Sequence, residues 1–97
     1  MLLRDKDKEI IISIAKKTFK EKVTIWAYGS RVNGQAHDMS DLDLALIAKD
    51  KLDIGEFMNF KEALTDSNIP ILIQALDWHR IPPYFHKNIL DNYVELF

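Results

Sequence analysis

A glycine–serine pair, Gly29-Ser30, is followed after ten residues by Asp41-Leu42-Asp43, and both halves sit beside apolar runs. This arrangement narrows the folds open to the chain more than any other feature. The first run, Val23-Thr24-Ile25-Trp26-Ala27-Tyr28, is β-branched or aromatic nearly throughout, as expected of a central strand buried on both faces. The second, over residues 42–48, starts inside the acidic motif and continues Leu44-Ala45-Leu46-Ile47-Ala48. Glycine permits a sharp turn where the first strand ends. Residues at i and i+2 of a strand share a face, so Asp41 and Asp43 are expected side by side where the second strand begins.

That pairing has a definite chemical use. Magnesium prefers oxygen ligands and is commonly held by one or two carboxylates together with substrate phosphates, so Asp41 and Asp43 suit Mg²⁺ or Mn²⁺ better than a softer metal. A glycine-led turn can lie close to phosphate oxygens, and the Ser30 hydroxyl and the amides after it can donate to them. Arg31 offers a planar fork to a β- or γ-phosphate, or else a surface ion pair. Ser40 is read as capping or orienting the Asp41 loop. Alone, each half also suits an ordinary turn or a solvated strand entrance. Together they point to a site for ATP or another NTP, with Gly29, Ser30 and Arg31 on the phosphates and Asp41 and Asp43 on the metal. Such a site serves nucleotidyl transfer, in which a polyanion must be neutralised and the attacking and leaving oxygens aligned.

The remaining chain reads as alternating elements. Ile11, Ala15 and Phe19 recur at helical spacing within 7–20, after an acidic start. Ser30–Gln35 is expected to form a short helix ended by Gly34. Asp53 and Glu56 resemble an N-terminal cap before a second long helix carrying Phe57, Phe60 and Leu64. Pro70 can only start a strand or sit at an edge, so 70–76 is predicted to be a third strand near the sheet margin. Pro82-Pro83 precedes a helix through Phe85, Ile89 and Leu90. The apolar tail Tyr93-Val94-Glu95-Leu96-Phe97 either closes the core or docks on a partner. Trp26, Tyr28 and Trp78 are expected in the core or at its rim, or stacked on a nucleobase. The fold class is α/β (α+β): a small mixed sheet of three to four strands with flanking helices.

The stretch YGSRVNGQAHDMSDLDLALI, from Tyr28 to Ile47, resembles the minimal nucleotidyltransferase family of the DNA polymerase β-like superfamily, whose signature is Gly-Ser, ten residues, Asp-x-Asp. The similarity extends through Leu76-Asp77-Trp78. It implies an NTP- and Mg²⁺-dependent transferase with Asp41 and Asp43 at the metal. In that family such chains often act as antitoxins that adenylylate a helical HEPN-type toxin, which makes a HEPN-type protein the implied partner. The family usually carries a third carboxylate on a later strand, and the matching residue here is Gln74. Gln74 would line the site, but an amide adds no negative charge and takes no proton at neutral pH. Asp77 substitutes only if a bulge or an early strand end reverses its face. Two alternatives follow: an antitoxin of this fold that acts by binding with little catalysis, or the nucleotide-transferring subunit of a small-molecule, aminoglycoside-like transferase.

The 97 residues are expected to form a single domain, 1–97, with the acceptor presented by another chain. A hydrophobic share of 47% beside a charged share of 29% fits a soluble globular chain, and no apolar run reaches the length of a membrane span. The absence of cysteine excludes disulfides and thiolate metal sites, and the N-terminus lacks a signal-peptide core, so a cytoplasmic location is expected. A net charge near −2 argues against a nucleic-acid partner, because phosphate-backbone binding leaves a basic footprint. His37, His79 and His86 are scattered without zinc-site spacing.

Overall fold

The computed structural model describes residues 3–33 and 41–97, with backbone only for Ser30 and Asn33. In chain order the elements are α1 (Asp5–Thr18), β1 (Thr24–Tyr28), α2 (Ser30–Asn33), β2 (Leu42–Ile47), α3 (Ile54–Thr65), β3 (Ile73–Asp77), α4 (Pro83–Leu90) and β4 (Tyr93–Glu95). The strands form one mixed sheet in the order β3-β2-β1-β4. β1 runs antiparallel to both β2 and β4, whereas β2 and β3 are parallel and are joined by the crossover helix α3.

Alternation along the strands decides what each face does. Ile25 and Ala27 of β1 and Leu42, Leu44 and Leu46 of β2 point to one side. There they pack with Ile11, Ala15 and Phe19 from α1 and its end, and with Phe57, Phe60 and Leu64 of α3. Phe19 and Phe60 meet with ring centroids 5.2 Å apart. Both helices start on polar contacts: Arg4 grips the buried Asp7 carboxylate through two 2.9 Å hydrogen bonds, and Asp53 accepts from the Glu56 amide at 3.0 Å as an N-cap.

The opposite face carries Trp26 and Tyr28 of β1, and Asp43 and Ala45 of β2. β1 was expected to be buried on both faces, but on this one it is only half-buried, because among the described residues its helical cover is the short α4. Aromatic side chains complete that cover. Tyr93 stacks on Trp26 with centroids 4.0 Å apart, Phe85 of α4 stands edge-on to Tyr28, and His86 stacks on Trp78 at 3.8 Å. Ala45 and Ile89 are fully buried without belonging to the main cluster.

The third strand begins at Ile73, later than the expected 70–76, and extends to Asp77; Pro70 lies in its lead-in. β3 is an edge strand, at the sheet margin where it was expected. The tail closes the fold: Tyr93–Glu95 forms the other edge, and Leu96 joins the main core. The short helix after Gly29 spans Ser30–Asn33; its expected continuation to Gly34 and Gln35, together with His37 and Ser40, lies outside the described residues.

Candidate functional site

Where β1 ends and β2 begins, antiparallel pairing sets Tyr28 opposite Asp43. Gly29 follows with φ of +84°, a conformation that residues bearing a Cβ rarely adopt. A Cβ on Gly29 would also collide with Oδ2 of Asp43 and lie 3.3 Å from its Cγ. Glycine is therefore needed twice over, once for the turn and once for the close approach of the backbone to a carboxylate. The Gly29 carbonyl accepts from the Val32 amide at 3.0 Å, so the helical turn α2 starts directly on it.

Asp41 and Asp43 flank Leu42, which is fully buried toward the helices, and both carboxylates lie on the other face. The Leu42 amide already donates to the Leu72 carbonyl at 2.9 Å, so the backbone between the two acids is held by β3. Gln74 is the register partner of Asp43 on β3, and its Nε2 donates to Asp41 Oδ2 at 2.9 Å. Gln74 thus reaches the acidic pair as a hydrogen-bond donor.

The pair is electrostatically strained. Burial pushes the Asp43 carboxyl above its ordinary pKa, and the nearby Asp41 charge pushes it further. Burial, followed by the charge of Asp43, raises the Tyr28 phenol to about 12, so Tyr28 stands at this site as a neutral hydroxyl. A divalent cation would relieve the strain on Asp43, and the oxygens of two carboxylates are donors of the kind that Mg²⁺ or Mn²⁺ prefers.

Asp77 is excluded from this site. β3 is regular from Ile73 to Asp77, so the three-residue offset from Gln74 turns Asp77 to the opposite face. There it is 2% exposed; Oδ2 accepts from the Leu52 amide at 2.9 Å and from Arg80 Nε at 3.1 Å, and Oδ1 from the His79 amide at 3.0 Å. Arg80 and His79 also donate to the carbonyls of Leu52 and Ala48, both at 2.8 Å, so Asp77 fastens two loops together.

Arg31 is 5% exposed, so it is buried and already engaged in the fold. The Ser30 side chain lies outside the described residues. Tyr28 was expected in the core, at its rim or stacked on a nucleobase, and its place opposite Asp43 became visible through strand register. Trp26 and Trp78 are engaged by Tyr93 and His86, which leaves neither with two free faces for a nucleobase. His79 and His86 bond to backbone carbonyls, as befits structural histidines.

Residues 9–97 match the family model of the polymerase beta nucleotidyltransferases. A probable protein adenylyltransferase MntA of Haemophilus influenzae is 38% identical over 86 residues, covering 86% of this chain and 75% of that protein. Among solved structures, a toxin–antitoxin crystallised with AMP-PNP superposes with a TM-score of 0.77 at 20% identity, over 93% of this chain and 72% of the other. A complex of a tri-AMPylated Shewanella oneidensis HEPN toxin with its MNT antitoxin superposes with a TM-score of 0.74 at 16% identity, over 98% and 72%. At these identities the two structures speak to the fold.

Proposed function

This chain belongs to the polymerase beta nucleotidyltransferase family, and from that premise we propose that it is an NTP- and Mg²⁺-dependent nucleotidyltransferase that acts as an antitoxin by adenylylating a HEPN-type protein partner. One observation carries the reading: the Gly29 backbone lies against the Asp43 carboxylate, and Asp41, bonded to Gln74 on the neighbouring strand, shares that face, so the glycine turn and the acidic pair stand together. The likeness to an adenylyltransferase and to antitoxins solved with HEPN toxins supports the choice of nucleotide and partner.

In this reading Asp41 and Asp43 hold Mg²⁺. When bound, the ion offsets phosphate charge and aligns the attacking and leaving oxygens. Gly29 gives the triphosphate access to the backbone, and the amides of the Ser30 turn and the Arg31 guanidinium bind its oxygens. Tyr28, neutral at working pH, walls the site beside Asp43 and can donate one hydrogen bond. Gln74 orients Asp41. Asp77 is committed to two loops, so among the described residues Asp41 and Asp43 are the carboxylates that stand near enough to take the proton of the acceptor hydroxyl, beside solvent and the partner.

The test is transfer itself. Labelled ATP, Mg²⁺, the chain and a HEPN protein encoded beside it are expected to give a labelled HEPN protein, and the double substitution Asp41→Ala, Asp43→Ala to give none. Label that persists in the double variant removes these acids from the reaction. The amide at Gln74 favours a second reading, in which the chain neutralises its partner by contact alone; toxin inhibition that survives the double substitution would support it.

A further inference from the structure

We propose that the acidic site holds one divalent cation rather than a bridged pair, and that Gln74 sets this count. The inference rests on the reading of Asp41 and Asp43 as metal ligands and concerns how many ions they can support. Two-ion clamps on phosphoryl groups hold their cations roughly 3.5–4 Å apart. Repulsion between two doubly charged ions is about four times that between unit charges at the same distance, so a pair needs concentrated negative charge around it.

A bound triphosphate brings the same negative charge to every variant, and among the described residues the protein adds little beyond the two aspartates. Among the described residues no cluster of three histidine, cysteine, aspartate or glutamate side chains exists to hold a metal. The position that register places opposite Asp43 is Gln74, and its amide donates to Asp41 Oδ2 at 2.9 Å. That contact has two effects. It adds no charge, and it occupies an oxygen that Asp41 needs in order to bridge a second ion while ligating the first. Turning the amide over offers Oε1, which is a neutral ligand and leaves the charge deficit in place. The other acid on β3, Asp77, faces the opposite side and is consumed by Leu52, His79 and Arg80.

Electron paramagnetic resonance of Mn²⁺ counts the ions without reference to turnover. The chain is mixed with a non-hydrolysable ATP analogue and Mn²⁺ is titrated in, for the wild type, Gln74→Asp and Gln74→Glu. Gln74 is exposed on an edge strand, so both variants are expected to fold, with the melting temperature as the check. The expected result is a spectrum of isolated protein-bound Mn²⁺, one per chain, for the wild type at every ratio, and a spin-coupled pair in at least one carboxylate variant at two ions per chain. A coupled pair in the wild type, or none in either variant, overturns the proposal. Loss of all protein-bound Mn²⁺ in the wild type overturns the metal-site reading beneath it, an outcome distinct from a wrong count.

Discussion

Asp77 and the Asp41–Asp43 pair are carboxylates on the same small sheet with opposite fates. Asp77 is almost fully buried, yet it is surrounded by two backbone amides and a guanidinium, so its charge is compensated within the chain. Asp43 is only half-buried, yet its pKa is raised, first by that burial and then by the neighbouring Asp41 charge, and its other neighbours are a phenol and a glycine backbone. Burial alone therefore does not identify a working acid. Within the described residues two amides and a guanidinium meet the charge of Asp77, whereas in the proposed function a bound cation meets that of Asp43.

The contrast breaks most sharply under truncation. Asp43→Ala is expected to lower nucleotidyl transfer at least on the order of 10³-fold, the scale of losing a preorganised charge partner in the transition state, without lowering the melting temperature. Asp77→Ala is expected to do the reverse: loss of about 3 kcal/mol and roughly 10–20 °C in Tm, because two amides and Arg80 lose their acceptor, with transfer retained at temperatures where the chain stays folded. Thermal unfolding beside a transfer assay separates the two. A smaller effect is expected for Gly29→Ala, about 1–2 kcal/mol from the positive φ, together with weakened transfer as the new methyl displaces the Asp43 carboxylate.

The smallest effect sharpens the comparison through pH. Because the folded pKa of Asp43 is raised, this residue favours the fold most below its unfolded pKa, and that benefit is lost as pH rises through the folded value. At pH 7 without metal, Asp43→Asn is therefore expected to raise Tm by a few degrees and to flatten the acid-side gain in stability, both measurable by calorimetry. Added Mg²⁺ is expected to stabilise the wild type and leave Asp43→Asn unmoved.

Much of this was legible in the sequence because it followed from local rules. The β-branched run before Gly29, the i, i+2 spacing of Asp41 and Asp43, and the capping pattern at Asp53 each depend on neighbours in the chain, and each appears where expected. Parity alone also turned Asp77 away from Gln74. What it meets on the far side could not be read, since the Leu52 amide comes from 25 residues upstream and is delivered by the β2–β3 crossover. Likewise the contact of Tyr28 with Asp43 depends on antiparallel register, and the burial of Arg31 on how α2 seats against β1 and β2. The tail posed a choice between core and partner that composition could not resolve; pairing with β1 resolved it for Leu96.

The central claim is that Asp41, Asp43 and the Gly29 turn form one cation-dependent nucleotide site. Calorimetric titration of a non-hydrolysable ATP analogue into the wild type and into an Asp41→Asn, Asp43→Asn variant, each with and without Mg²⁺, tests it most directly. Binding by the wild type that requires Mg²⁺ and vanishes in the variant is the expected result, whereas equal affinity in both proteins, or affinity indifferent to Mg²⁺, contradicts the account.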